Sequence, residues 1–175
     1  MADGALHQGP RPRTSAVGRW GAMAFGVAAL VAVLDQISKS WVLQALHLTE
    51  GASIPVLPVF RLTLVWNRGV SFNLLRADDA TGRWLLVLFA LAIVCALGVW
   101  ARKTVRPLTA AALGLIIGGA VGNNLIDRVR FGAVADFLDF SSLHFPMVFN
   151  LADAAINVGV ALLLLDFLRT ERTRG

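Results

Sequence analysis

Four long apolar stretches constrain this chain more than any other feature of its sequence. They lie at about residues 20–46, 84–100, 108–126 and 152–168. A helix needs about 20 mostly apolar residues to cross a hydrocarbon core roughly 30 Å thick. The composition agrees, since 57 % of the 175 residues are hydrophobic and only 15 % are charged. We therefore predict an all-α membrane protein with four transmembrane helices, and we exclude a soluble binding module.

The basic residues predict how these helices are oriented. Basic residues precede the first span, fill the loop between the second and third spans without any acid, and follow the fourth span. Short basic loops stay in the cytoplasm. We expect both termini there, as a disordered tail at 1–18 and a second tail at 169–175, with a single membrane domain over 19–168. The net charge of +5 then reflects membrane orientation and not nucleic-acid binding.

Residues 47–83 form an extracytoplasmic loop in this topology. Apolar and polar residues alternate at 61–65 and again at 70–74, and the segment 67–69 between them can turn the chain. This pattern predicts a small β-hairpin or cradle. We expect the hairpin to lie on the membrane and cover a site beneath it.

Glycines recur in the third span. Gly114, Gly118 and Gly122 are four residues apart, so they share one helix face. Small residues at this spacing let another helix approach closely. The sequence predicts a helix-packing role for this face.

Acidic residues gather at one membrane depth. With both termini inside, five acids lie in or beside the outer ends of the spans: Asp35, Asp127, Asp136, Asp139 and Asp153. Intramembrane charges are expensive and usually functional. Two carboxylates at one site share a proton, so that one can activate water while the other polarises a carbonyl. This is the chemistry of an aspartyl protease.

Two of these acids also have structural interpretations. Asp35 and Lys39 are four residues apart on a helix, so they can form an ion pair that makes a charged span tolerable. Asn150 and Asp153 can cap the start of the fourth span. A supporting role at a site remains open for Asp35 and Lys39.

The sequence resembles the bacterial lipoprotein signal peptidases, also called signal peptidase II, in five ordered motifs. The first two are Asp35-Gln-x-Ser-Lys39 and Asn67-x-Gly69. The third is the glycine-rich segment 118–128, which ends in Asp127-Arg128. The last two are Val134-Ala-Asp136-Phe137 and Phe149-Asn150-x-Ala152-Asp153.

This resemblance implies a four-helix aspartyl endopeptidase of the bacterial inner membrane. Such an enzyme removes the signal peptide of a prolipoprotein, cleaving before the diacylglyceryl-modified cysteine near the outer face. Its partners would be that peptide, membrane lipid and globomycin-type inhibitors, and no metal or other cofactor is implied. The catalytic pair falls on Asp136 and Asp153, with Asp127 as the rival of Asp136. The supporting residues implied are Asp35, Lys39, Asn67, Gly69, Asn124, Asp127, Arg128, Asn150 and Ala152.

The spacing of the third motif leaves one position open. Counting back from Asp127 selects Asn124, whereas counting on from Gly122 selects Asn123. A three-residue helical step keeps Asn124 on the face of Asp127, and this favours Asn124.

A small proton-coupled transporter is the main alternative, because intramembrane acids also form proton relays. A relay distributes its acids across the membrane, whereas this sequence gathers them at one side. A purely structural subunit, held together by the glycine face, is a third possibility. It does not explain why Asp136 and Asp153 are present.

Overall fold

The computed structural model describes residues 18–69, 79–143 and 147–172. Four of its helices are long and apolar enough to cross a membrane: Arg19–Ala45, Ala80–Lys103, Pro107–Phe131 and Leu151–Arg172. Each overlaps one predicted span, which confirms the four-helix prediction. The fourth helix continues through Arg172, so the first residues of the tail predicted at 169–175 are helical. Residues 1–17 of the predicted N-terminal tail lie outside the described residues.

The helices and strands of the described residues have the following bounds. The helices are α1 (Arg19–Ser40), α2 (Ala80–Lys103), α3 (Pro107–Ala120), α4 (Arg128–Phe131) and α5 (Leu151–Arg172). A π-helical turn, Trp41–Ala45, extends α1, and a π-helical segment, Val121–Asp127, joins α3 to α4. The strands are β1 (Ser53–Leu57), β2 (Phe60–Asn67), β3 (Val134–Asp139) and β4 (Val148–Phe149).

Helix α3 lies at the centre of the bundle and packs closely against α1 and α5. A Cβ at Gly118 would lie 2.5 Å from the carbonyl oxygen of Ala28 on α1. A Cβ at Gly119 would lie 2.5 Å from the carbonyl oxygen of Ala152 on α5. Both distances are too short for a real side chain. The packing role predicted for the glycine face is therefore confirmed, and Gly119 allows the same close approach to α5.

Gly118→Ala should destabilise the protein by about 1–3 kcal/mol, because the added methyl forces α1 and α3 apart. The matched control is Gly26→Ala on α1, where a Cβ meets nothing within 4 Å. That change should be neutral or slightly stabilising, since alanine is the better helix former. Thermal unfolding in one detergent measures both. Equal melting temperatures for the two variants would contradict the close packing.

The strands form one antiparallel sheet in the order β1-β2-β3-β4. Its inner face packs on the end of the first span through a small apolar cluster: Val42, Leu48, Leu62, Leu64, Ala135 and Phe137. The predicted β-cradle is thus present, although its strands differ from those predicted.

The predicted hairpin is wrong in its pairing. Residues 61–65 do lie in a strand, β2, but the hairpin partner of β2 is the upstream strand β1. The turn falls at 58–59 and not at 67–69. Pro55 makes β1 hard to recognise in the sequence, because proline cannot donate a backbone hydrogen bond. An edge strand tolerates a proline, because the N–H groups on its outer side need no partner in the sheet. The other predicted arm, 70–74, lies outside the described residues.

The connection between the third and fourth spans also differs from the prediction. It contains β3, which pairs with β2 and carries both Asp136 and Asp139. The sheet therefore joins the loop between the first and second spans to the acids that the sequence singled out.

Candidate active site

Asp136 is presented by the outer face of the sheet. Its strand neighbours Ala135 and Phe137 point into the apolar cluster, so the alternation of a strand directs Asp136 the other way. Opposite it lies Val65 on β2, where the register shifts between Leu62 and Val65. Such bulges often redirect a side chain next to a functional site.

Asp153 lies in the first turn of α5 and caps it reciprocally with Asn150. The Asp153 backbone N–H donates to Oδ1 of Asn150 at 2.9 Å. The Asn150 backbone N–H donates in turn to Oδ2 of Asp153 at 3.2 Å. The predicted helix cap is therefore present. It also fixes where the Asp153 carboxylate lies.

Asn150 connects the two aspartates. Its Nδ2 donates to Oδ1 of Asp136 at 2.6 Å, while its backbone N–H contacts Asp153 as described above. Asn67 Nδ2 donates to the other oxygen of Asp136 at 3.1 Å. Asp136 is only 4 % exposed, whereas Asp153 is half-buried. The two carboxyls thus share a hydrogen-bonding partner, and one of them is open to an incoming molecule.

The pKa of Asp136 reflects this environment. Burial raises it from the usual value of 3.8 to about 7, and the neighbouring charge of Asp153 acts in the same direction. Hydrogen bonds from Asn67 and Asn150 act against this rise. Asp136 can therefore hold a proton near neutral pH.

Lys39 lies beneath the pair and is only 2 % exposed. Its Nζ lies 2.7 Å from Oδ2 of Asp35 and 2.7 Å from Oδ2 of Asp127. It also donates to Oδ1 of Asn123 at 2.7 Å. An ammonium group has three donors, and all three are matched here. The predicted Asp35–Lys39 pair is thus present, within a larger network.

Asp127 belongs to this lysine network. Besides Lys39, it accepts Nε2 of Gln36 at 2.7 Å and the backbone N–H of Ala135 at 3.2 Å. Asp127 therefore positions β3 one residue before Asp136. It shares no direct hydrogen-bonding partner with Asp153 among the described residues, and this geometry favours Asp136 over Asp127 as the partner of Asp153.

The asparagine that contacts Asp153 is Asn123, whereas the spacing had favoured Asn124 for the motif position on the face of Asp127. Asn123 Nδ2 donates to Oδ1 of Asp153 at 2.7 Å, and its own oxygen accepts from Lys39. Asn124 instead accepts Nε of Arg128 at 3.1 Å. The cause is the π-helical segment Val121–Asp127. Its wider turn shifts the helix faces, so the three-residue step of an α-helix no longer applies.

The other predicted supporting residues anchor neighbouring backbone. Arg128 Nη2 donates to the carbonyl oxygen of Gly69. The Gly69 N–H donates to Oδ1 of Asn67 at 3.0 Å, which orients the asparagine that contacts Asp136. The Ala152 N–H donates to Oδ1 of Asp35 at 3.1 Å, so Asp35 fixes the start of α5.

One further acid, Asp139, and one amide, Gln36, lie near the site. Asp139 accepts Thr63 Oγ1 at 2.7 Å and the Ser141 N–H at 2.9 Å, and these bonds hold its pKa below the usual value. It ties β3 to β2 and contacts neither aspartate of the pair. The prediction overlooked Gln36, although it follows Asp35 directly in the first motif. No cluster of metal-ligating side chains occurs within the described residues.

Comparisons with known proteins match most of the chain. The signal peptidase (SPase) II family matches residues 27–169. A lipoprotein signal peptidase of Caulobacter vibrioides is 55 % identical over 156 residues, covering 89 % of this chain and 92 % of the relative. One from Shewanella loihica is 46 % identical, covering 88 % of each protein.

Solved structures give the same result at the level of the fold. One bacterial membrane enzyme, determined by the in meso method, superposes with a TM-score of 0.77 at 25 % identity, covering 88 % of this chain and 92 % of the other. A second superposes with a TM-score of 0.70 at 28 % identity, covering 84 % and 93 %. The transporter alternative finds no support in these comparisons. The chain belongs to the signal peptidase II family of aspartic proteases, and it is a multi-pass membrane protein.

Proposed function

We propose that this protein removes the signal peptide of prolipoproteins, cleaving just before a diacylglyceryl-modified cysteine, with Asp136 and Asp153 as the catalytic pair. The observation that carries the proposal is the shared partner Asn150, which contacts one oxygen of each carboxyl group. Membership of the signal peptidase II family supports the choice of substrate.

The charges around the pair favour one shared proton. Lys39 contacts two buried carboxylates, and Arg128 adds a second buried positive charge that acts on the same region. These four charges balance. Neither Asp136 nor Asp153 forms an ion pair of its own among the described residues, although the charges of Lys39 and Arg128 act on Asp136 from a distance. Two adjacent carboxylates cannot both ionise cheaply. A single proton on the pair reduces this cost.

The environment of each acid suggests its role. Asp153 lies in the first turn of α5, where the helix dipole favours a carboxylate. Asp136 is more deeply buried and holds its proton to about pH 7. In our proposal, Asp153 accepts a proton from water as the water attacks the scissile carbonyl. Asp136 gives its proton to the carbonyl oxygen.

Collapse of the tetrahedral intermediate completes the reaction. Asp153 passes its proton to the leaving amide nitrogen, which becomes the free amino group of the lipid-modified cysteine. Asp136 recovers a proton from the hydroxyl that becomes the new carboxyl group. The pair thus returns to its starting protonation state, and water is the only other reactant.

The topology completes the proposal. With both termini in the cytoplasm of a bacterial inner membrane, the pair lies near the outer face. The scissile bond of a membrane-anchored signal peptide lies at that depth. We expect the lipid chains of the substrate to stay in the bilayer, and globomycin-type inhibitors to compete at the pair.

Activity should fall as the pH rises above about 7, because the pKa of Asp136 is raised to about 7 and its proton is then lost. The Asn67 hydrogen bond stabilises the ionised form, so Asn67→Leu should raise this pKa and move the alkaline limb of kcat/KM to higher pH. Thr63→Val is the matched control, since Thr63 lies on the same strand but donates to Asp139. If the alkaline limb of kcat/KM does not move in Asn67→Leu, the assignment of this limb to Asp136 is contradicted. An equal shift in Thr63→Val would contradict it too.

Asn123→Ala should reduce kcat more than Asn124→Ala does. Asn123 links the Lys39 ammonium to Asp153, whereas Asn124 accepts a hydrogen bond from the Arg128 guanidinium. We expect a loss of about 10- to 100-fold in kcat for Asn123→Ala, with KM nearly unchanged, because the lost contact orients a reacting group. Steady-state kinetics on both purified variants measure the difference. A larger kcat loss in Asn124→Ala would contradict the role of Asn123 in orienting Asp153.

A further inference from the structure

The tip of the β1–β2 hairpin exposes a continuous run of apolar side chains. Residues 51–60 contain no charged side chain, and the seven consecutive residues 54–60 are all apolar. We call 54–59 the hairpin tip. Four of its side chains are large and exposed, and Leu57 is the most exposed of them at 59 %: Ile54, Val56, Leu57 and Val59. Contiguous apolar surface of this kind marks a contact with a protein or with a membrane.

The hairpin tip is uncovered on both faces of the sheet. Successive residues of a strand point to opposite faces, so Ile54 and Pro55 face opposite ways. Both are exposed, as are the two residues that follow them in β1. A docked protein would cover one face and leave the other in water. Lipid is fluid and surrounds a protruding turn, so the pattern favours a membrane over a protein partner.

Leu57 is as exposed as side chains on the membrane-spanning helices. Leu88 on α2 and Leu164 on α5 are also 59 % exposed. Both helices are long and apolar enough to cross a membrane, where lipid covers such side chains. The same environment accounts for the exposed leucine in the hairpin.

An aromatic stack places the base of the hairpin tip beside the fourth span. Phe60 stacks on Phe140 with ring centroids 4.9 Å apart, and Phe140 stacks on Phe149 at 5.8 Å. Phe149 directly precedes Asn150, whose side chain caps α5. The hairpin tip therefore begins near the point where a membrane-crossing helix reaches the bilayer surface, at the end of the bundle that carries the aspartate pair.

The backbone limits how deeply the hairpin tip can lie. Strand β1 is at the edge of the sheet, and unpaired N–H and C=O groups are not tolerated in hydrocarbon. Pro55 and Pro58 have no N–H, so two of the six tip residues have no donor to remove from water. The carbonyl groups still need water or headgroups. These requirements fit the boundary between the headgroups and the acyl chains.

We propose that the hairpin tip inserts into the lipid bilayer at this boundary, on the side of the membrane where the aspartate pair lies. Leu57 and Val59 contact the first part of the acyl chains, while the backbone stays among the headgroups. Strand β2 continues from the tip to Asn67, which contacts Asp136. Insertion therefore fixes the height of the sheet, and with it Asp136, relative to the membrane surface.

The test is quenching of an environment-sensitive NBD dye at position 57, in phosphatidylcholine nanodiscs without any substrate. Cys95→Ala removes the single cysteine of the chain, and Leu57→Cys then accepts the dye. Thr49→Cys is the matched control, because Thr49 is also exposed but lies before β1, next to the charged Glu50. We expect the dye at 57 to emit at a shorter wavelength than the dye at 49 and to resist aqueous iodide. A nitroxide near the lipid ester group should quench it more than one near the chain end.

A second pair of variants tests the apolar character of the hairpin tip, with the dye attached through Val59→Cys. Leu57→Glu should abolish quenching by the lipid nitroxide, because burying a charge is costly. Thr49→Glu should leave this quenching unchanged. The melting temperature in detergent should stay the same in both, since both side chains are exposed.

Three results would overturn the proposal. Strong iodide quenching at position 57 without lipid quenching would show that the tip lies in water. Protection from both quenchers would show that protein, from a second copy of the chain, covers it. Equal lipid quenching at positions 49 and 57 would show that insertion is not specific to the tip.

Discussion

Replacing Asp136 or Asp153 with asparagine should lower kcat at least about 1000-fold, because each amide removes a carboxyl group that moves a proton in our scheme. Both variants should still fold. Asparagine has nearly the same shape as aspartate, and the change also removes one of two adjacent acidic groups. Turnover of a lipid-modified substrate, with the melting temperature recorded alongside, measures both expectations.

Two further variants make this prediction specific. Asp139→Asn is the matched control on β3, since Asp139 bonds to Thr63 and Ser141 and not to the pair. It should keep activity close to that of the wild type. Asp127→Asn should keep more activity than Asp136→Asn, because Asp127 contacts Lys39 and the strand backbone. If Asp136→Asn stays active while Asp127→Asn does not, the pair is Asp127 with Asp153.

Lys39→Met should be the most destabilising single change, costing about 3–5 kcal/mol. Removing one partner of a buried ion pair leaves an uncompensated charge, and here the carboxylates of both Asp35 and Asp127 lose their cation. Methionine keeps most of the side-chain volume, so a cavity does not explain the loss. Unfolding by heat or by a denaturing detergent measures it.

The same substitution at an exposed lysine provides the control. Lys103→Met, assayed in detergent without added phospholipid, should change stability by less than about 0.5 kcal/mol. If Lys39→Met is as stable as Lys103→Met, the lysine network beneath the aspartates contributes nothing to the free energy of unfolding. The fold would then depend on helix packing alone.

Hydropathy predicted the helical part of the fold well, because crossing a bilayer requires long apolar segments whatever the rest of the chain does. The Asp35–Lys39 pair was predictable for a similar reason, since a four-residue step brings two side chains together on any α-helix. Both inferences need only local sequence. They depend on no partner from elsewhere in the chain.

Long-range pairing was harder to predict. Strand β3 is six residues long and carries two acids, so it resembled a connecting loop until its pairing with β2 was known. The link from Lys39 to Asn123 spans 84 positions, and no periodicity within one helix predicts it. The contact between Asn123 and Asp153 could not be predicted from α-helical spacing, because both asparagines lie in a π-helical segment.

The lysine network explains why so many polar side chains are tolerated at this depth. Asp35 contacts the start of α5 through the Ala152 N–H, and Asp127 contacts β3 through the Ala135 N–H. Both acids are held by the same ammonium group. Lys39 therefore fixes the two elements that carry Asp153 and Asp136, and the reacting groups are positioned by a core of compensated charge.

The most direct test of the account is cleavage of a purified prolipoprotein by the purified protein, with and without the diacylglyceryl group on its cysteine. Mass spectrometry of both products locates the cut. We predict a single cleavage on the amino side of the modified cysteine, abolished in Asp136→Asn and in Asp153→Asn. Absence of cleavage by the wild type, or equal cleavage of the unmodified precursor, would contradict the proposed substrate. Full activity in either asparagine variant would contradict the catalytic pair.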